Sequence, residues 1–188
     1  MLLALVLLVA GVVTGLVRGG SLDAISGVRF RLPWLVFVGL GLQVGAEIAA
    51  AHIPSIHQGA VGPLILAVSY VFVAAFVLLN LRFPGTVLIG LGLLMNLTVI
   101  LANGAMPVSL WALKAAGSHA APTLQHAVKH RPKGPGTRLG FLGDIIPAPP
   151  LGIVSLGDVV LSVGLFLLVN HLVVPEPGSG RGPRHRQR

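Results

Sequence analysis

The 21 residues from Val61 to Leu81 contain no charged side chain. A helix of that length rises about 30 Å, the thickness of a bilayer's hydrocarbon core. Four further apolar runs of similar length share the chain, at about 1–17, 33–50, 86–102 and 155–174. Of the 188 residues 54% are hydrophobic and 10% charged, where a soluble domain carries about 25% charged residues. A core built from so short a chain cannot hide that much apolar surface. The expected fold is therefore all-α: a polytopic transmembrane helical bundle of about five spans over residues 1–174, with the lipid bilayer as its first partner. Residues 103–154 form one long outer loop containing short helices, and 175–188 form a disordered basic tail.

The basic residues orient the spans. Arg18, Arg29 and Arg31 lie in the first connection, Arg82 in the third, and Arg181, Arg184, Arg186 and Arg188 in the tail. The second connection, 51–60, has no Lys or Arg. The positive-inside rule then puts the N-terminus outside and the C-terminus in the cytoplasm of a multi-pass cell-membrane protein. Lys114, Lys129, Arg131, Lys133 and Arg138 fall on the other side, in a loop long enough to count less in that rule. A secretory signal would carry positive charge before its apolar segment; in this chain the charge follows Val17. The formal charge of +8 comes without aromatic–basic interleaving or a helix-turn-helix pattern, so no nucleic acid is expected. The tail is a candidate for anionic lipid, at about 1 kcal/mol per basic residue. Cysteine is absent, which excludes disulfides, thiolate metal sites and cysteine nucleophiles.

Polar residues on the spans share faces. Gly39, Gln43 and Glu47 fall at i, i+4 and i+8. Glu47 lies fourteen residues beyond Pro33, about 21 Å along a helix and near the outer boundary. Gly92, Asn96 and Asn103 share a second face, and Ser155, Asp158 and Ser162 a third. Asp158 has no basic neighbour along its own helix. Ionisable side chains at membrane depth turn inward and mark functional sites. The expectation is a polar, acidic pocket at the outer leaflet formed by Glu47, Gln43, Asn96, Asn103, Ser155, Asp158 and Ser162. Its ligand would be a lipid headgroup, a small solute or a membrane partner. The bland reading of Gln43, Asn96 and Ser162 is interhelical hydrogen bonding. The inner half offers Thr14, Asn80, Asn170 and His171. Gly11-x-x-x-Gly15 and Gly41-x-x-x-Gly45 are spacings that let helix backbones approach.

The outer loop opens with Asn103-Gly104-Ala105-Met106-Pro107-Val108, a turn leaving the fourth span. Short helices are expected over 109–116 and 122–130, then a flexible basic hinge over 129–136. Residues 140–150 are apolar, rich in proline and arranged around Asp144. Such irregular backbone at membrane depth must be covered by protein. The tripeptide Leu-Gly-Asp occurs twice, at 142–144 and 156–158. Five of the seven histidines, His52, His57, His119, His126 and His130, fall on the outer side. His126 and His130 are spaced i, i+4, able to offer two imidazoles to one metal, but no metalloenzyme signature accompanies them. No metal or other cofactor is expected.

The apolar N-terminal run, the Asn103–Val108 segment and the Leu-Gly-Asp-Ile-Ile-Pro and Ser-Leu-Gly-Asp segments resemble a family of small bacterial, mainly actinobacterial, integral membrane proteins of unknown function. That resemblance covers about residues 1–174 and implies a topology without an activity. A fainter one is to the lipoprotein signal peptidases, membrane aspartic peptidases whose second aspartate opens the last helix in an Asn-x-x-Asp motif. Ser155-Leu156-Gly157-Asp158 is similar to it, with Ser155 in the place of Asn, and Asp144 would be the other catalytic carboxylate. The Gly-Asn-x-x-Asp-Arg motif of those enzymes has no counterpart in this chain. Two carboxylates in one site would share a proton, one activating water while the other protonates the scissile carbonyl. Five short spans without an inverted repeat leave a transporter reading weaker.

Overall fold

The structure, a computed structural model, describes residues 2–50, 52–53, 60–117 and 129–174. It is mostly helical. The long helices are α1 (Leu2–Val17), α3 (Trp34–Ala50), α4 (Val61–Leu79), α5 (Thr86–Asn103) and α7 (Leu156–Val173), with short helices α2 (Asp23–Ser26) and α6 (Leu110–Ala115) between them. Three of them, α4, α5 and α7, are long and apolar enough to cross a membrane; α1 and α3 are apolar but shorter, at 16 and 17 residues. Large apolar side chains cover the outside, among them Phe37, Leu64, Val87 and Leu101, the inversion of a water-soluble surface that lipid-facing helices require.

The helices end where the sequence supplies a stop. Gly104, at φ +75, takes the left-handed conformation that closes α5 and returns its N–H to the Ile100 carbonyl. Asn80 closes α4, and its side chain does more than cap: Oδ1 accepts from the Arg31 N–H at 2.8 Å while Nδ2 donates to the Arg31 and Phe76 carbonyls. A wholly buried asparagine thus pins the strand-like approach to α3 against the turn after α4.

The helices pack in the order α1, α7, α5, α4, α3. Gly11 and Gly15 of α1 rest on Phe166 and Val173 of α7, so these two run parallel. Gly92 of α5 meets Gly157 and Leu161, and Gly85, just before α5, meets Gly164 and Leu168, so α5 and α7 run antiparallel. Gly39 of α3 sits against Ser69 and Val73 of α4, with Ala50 packed beside Leu66, again antiparallel. Directions therefore alternate along the chain. One end of the bundle gathers the segment between α5 and α7; the other gathers Arg18, Arg29, Arg31 and Arg82. At the arginine-bearing end Asn170 donates to Thr14 Oγ1 at 2.8 Å and accepts from Arg18 at 3.0 Å, fastening α1 to α7.

The α5–α7 seam brings two helix backbones close together. A β-carbon at Gly157 would overlap Asn96 Oδ1, and one at Gly92 would overlap the Gly157 carbonyl. Gly85 and Gly164 oppose each other in the same way. Both pairs, 85/92 and 157/164, are spaced by seven residues, the period that keeps a seam on one side of two helices. Gly41 and Gly45 have nothing within 4 Å of a β-carbon among the described residues, so that small-residue spacing is not used in packing among them.

Between α5 and α7 the chain builds a small cap. β1 (Met106–Val108) pairs in parallel with β2 (His130–Pro132), and β3 (Ile146–Ala148) pairs antiparallel with β4 (Gly152–Val154). Residues 130–132, expected as part of a flexible hinge, are thus a strand, because β1 supplies partners for their backbone. Ser109 caps α6, its Oγ accepting from the Ala112 N–H. Ala105, Met106, Val108, Ala112 and Leu113 are buried, and Met106 joins Tyr70, Leu93, Val99 and Ile100 in the main core cluster. The expected short helix at 122–130 falls largely, and the basic tail at 175–188 wholly, outside the described residues.

Candidate functional site

Three of the singled-out polar residues meet at the start of α7. Ser155 is its N-cap, and Asp158 completes a reciprocal capping box: Ser155 Oγ accepts from the Asp158 N–H at 2.9 Å, and Asp158 Oδ2 accepts from the Ser155 N–H at 3.2 Å. Asn96 of α5 closes the ring. Its Nδ2 donates to Asp158 Oδ1 at 2.8 Å, and its Oδ1 accepts from Ser155 Oγ at 3.0 Å. Gly157 makes this contact sterically feasible, since any side chain there would occupy the place of the Asn96 amide. Asn96 and Ser155 are buried and Asp158 half-buried.

Removing one member of this ring strands the others. Asn96→Ala is expected to cost about 2–3 kcal/mol, because it leaves a buried hydroxyl and a carboxylate each short of a partner. Thermal unfolding in mild detergent measures the loss; a change below about 0.5 kcal/mol would show that the ring contributes nothing.

Asp144 lies in the cap, 4% exposed. Its backbone is held on β1: its N–H donates to the Pro107 carbonyl and its carbonyl accepts from the Ser109 N–H, both at 2.9 Å. Gly143 allows that approach, since a β-carbon there would overlap the Pro107 carbonyl. Both copies of Leu-Gly-Asp therefore use glycine to admit a second segment, the Pro107 backbone at Gly143 and the Asn96 side chain at Gly157. The Asp144 carboxylate Oδ2 lies 3.4 Å from His130 Nε2. Burial, reinforced by the charge of Asp158, raises the Asp144 pKa to about 7, against an opposing pull from Lys129. Burial and the adjacent Lys129 push His130 below its ordinary value. Near neutrality the contact is thus between a largely uncharged imidazole and a carboxyl poised to give up its proton.

Glu47 reaches the same end by a different route. Its Oε1 accepts from the Lys129 N–H at 2.9 Å, and the Lys129 carbonyl accepts from the Met106 N–H. It ties α3 to the cap rather than joining the Asn96 ring, because α3 packs on α4 and not on α7. Asn103 grips Arg138 by its backbone, donating to the carbonyl and accepting from the N–H at 2.8 Å each. Ser162 is buried with its hydroxyl unpartnered, and Gln43 is half-buried on α3. His126 lies outside the described residues, and no cluster of three or more metal-ligating side chains occurs among those described.

A cavity of about 260 Å³ opens at this end, lined by Asn103, Ala105, Pro107, Arg131 and Thr137 with the neighbouring prolines and glycines. Its charged lining group is Arg131, not a carboxylate. Strand alternation explains this: Pro107 and Arg131 are paired in register and line the cavity, while their neighbours Met106 and Val108 are turned into the core. This strand pairing, and with it the cavity, is what sequence reading missed.

A model of a family of unknown function, DUF5317, matches residues 27–170, leaving α1 outside the match. No curated protein and no solved structure matches the chain.

Proposed function

The chain belongs to the DUF5317 family, whose function is unknown, and from that starting point we propose a polytopic membrane protein of five crossing helices that binds a small anionic solute or lipid headgroup on its outer face. The observation that carries the reading is the buried Asp144, held beside His130 directly behind a strand whose next-door residues line a cavity with Arg131. Burying an acid is costly, and this chain has only five acidic residues. Three of them, Glu47, Asp144 and Asp158, are engaged at one end. A buried carboxyl with a raised pKa beside a cavity marks a candidate functional site. Arg131 supplies the anion recognition, and a guanidinium suits a phosphate or carboxylate. The alternation of helix direction and the arginines at the opposite end support the orientation with this face outside.

Titration of the detergent-solubilised chain with glycerol phosphate tests the reading. The melting temperature is expected to rise in the wild type, and to stay unchanged in Arg131→Gln. A wild-type chain that does not respond to glycerol phosphate, inorganic phosphate or a short-chain carboxylate sinks the proposal.

The peptidase reading has one observation in its favour, the charge of Asp158 acting on Asp144. Against it, both Asp158 oxygens are engaged, one by the Asn96 amide and one by the Ser155 N–H, which leaves that carboxylate a capping role. Complementation of a strain lacking its lipoprotein signal peptidase separates the two readings. Rescue by the wild type and loss with Asp144→Asn or Asp158→Asn would establish the peptidase.

A further inference from the structure

We propose that the groove between α4 and α5 holds one acyl chain of an anionic phospholipid of the bilayer, its phosphate resting on the arginines at the groove mouth. The groove has a volume of about 400 Å³, with Leu78 and Leu81 on one wall and Leu91 and Leu94 on the other. Ala74 and Gly90 open it by supplying so little bulk; even a β-carbon at Gly90 would come within 3.1 Å of Val77.

Its length points to the occupant. From Val87 to Leu97 is ten residues of helix, about 15 Å. That is half of a bilayer's ~30 Å hydrocarbon core, the depth of one leaflet. Both walls belong to helices long and apolar enough to cross the membrane.

The mouth supplies the charge. Leu81 is followed at once by Arg82, whose guanidinium lies 4.8 Å above the Phe83 ring and donates to the Arg29 carbonyl. Asn80 holds the Arg31 backbone beside the same turn. Arg29, Arg31 and Arg82 are all exposed, and among the described residues none forms a salt bridge to a carboxylate. Three arginines, without acidic partners among the described residues, thus gather by their backbones around the turn that ends a groove one leaflet long, and their charge matches a phosphodiester attached to an acyl chain. The site lies at the opposite end from the cap, so it stands independently of any ligand there.

Native mass spectrometry of the full chain in mild detergent, offered equal amounts of phosphatidylglycerol and phosphatidylcholine of the same chain length, tests it. One phosphatidylglycerol is expected to be retained in preference. Arg82→Gln should weaken retention about fivefold, the effect of one basic residue at an anionic surface. Gly90→Leu should abolish retention by filling the groove, in a chain whose melting transition persists. Arg82 is exposed, so its substitution tests the site even if Gly90→Leu does not fold. Equal retention of both lipids by the wild type, undiminished retention in Arg82→Gln, or a dimer carrying no lipid would overturn the proposal.

Discussion

Replacing Gly92 by leucine is expected to abolish the folded protein. The new β-carbon would overlap the Gly157 carbonyl and lie 2.6 Å from the Leu161 nitrogen, both backbone atoms of α7. Overpacking costs about 1–3 kcal/mol where neighbouring side chains can move. Backbone atoms of a packed helix cannot, so α7 must retreat as a whole. That retreat would also pull Ser155 and Asp158 away from Asn96 and leave three polar groups short of partners. A total loss of at least about 4 kcal/mol is comparable to the whole stability of many domains. Gly41→Leu is the matched control: nothing lies within 4 Å of a β-carbon there, and its effect should stay below about 0.5 kcal/mol. Size-exclusion profiles and melting curves in mild detergent distinguish the two. Equal behaviour of the pair would show that the close α5–α7 seam is not what holds the bundle together.

The second large effect is a pH dependence. Asp144 is held near pKa 7 in the folded chain and has an ordinary value of 3.8. The native state therefore keeps this proton where the unfolded chain releases it. The sign follows from linkage: the Asp144 contribution is full below about pH 4, falls as the pH rises towards 7 and is flat above that, while His130, with its lowered pKa, contributes a slope of the opposite sign that the wild type and an Asp144 variant share. At about 1.4 kcal/mol per pH unit the loss is at most on the order of 4 kcal/mol. Asp144→Asn removes the titration while keeping the shape of the side chain. The variant should equal the wild type near pH 4 and exceed it in stability by a few kcal/mol at pH 8, read from the tryptophan fluorescence of Trp34 and Trp111 during unfolding. Parallel pH profiles for the two proteins would refute the assignment. A variant that is more stable and yet fails to bind would place Asp144 among residues kept for function at the expense of stability.

The long helices were legible because apolar runs delimit them. The expected limits at Val17, Ala50, Val61 and Thr86 coincide with observed helix ends, and the others differ by one or two residues. Asn96, Ser155 and Asp158 were legible as polar faces with inward orientation, and so were Thr14 and Asn170 at the other end. The α5–α7 seam was not, since among 25 glycines the four-residue spacing catches the eye and the seven-residue spacing that pairs Gly92 with Gly157 does not. Nor were the cap's strands. Three-residue segments such as Met106–Val108 carry no alternation to detect, and the partner of that strand comes from backbone more than twenty residues away. The route of Glu47 was hidden for the same reason: it bonds to a main-chain N–H, for which no side chain in the sequence advertises.

The pairing of α1 with α7 carries a consequence for how the molecule is made. α1 lies parallel to α7, and Arg18 and Asn170, joined by a hydrogen bond, are 152 residues apart in the chain. While α3, α4 and α5 can dock on one another as each emerges, α1 has no seat until α7 has been made. Until then Gly11 and Gly15 stay bare, so α1 is seated after the helices that separate it from α7 in the chain.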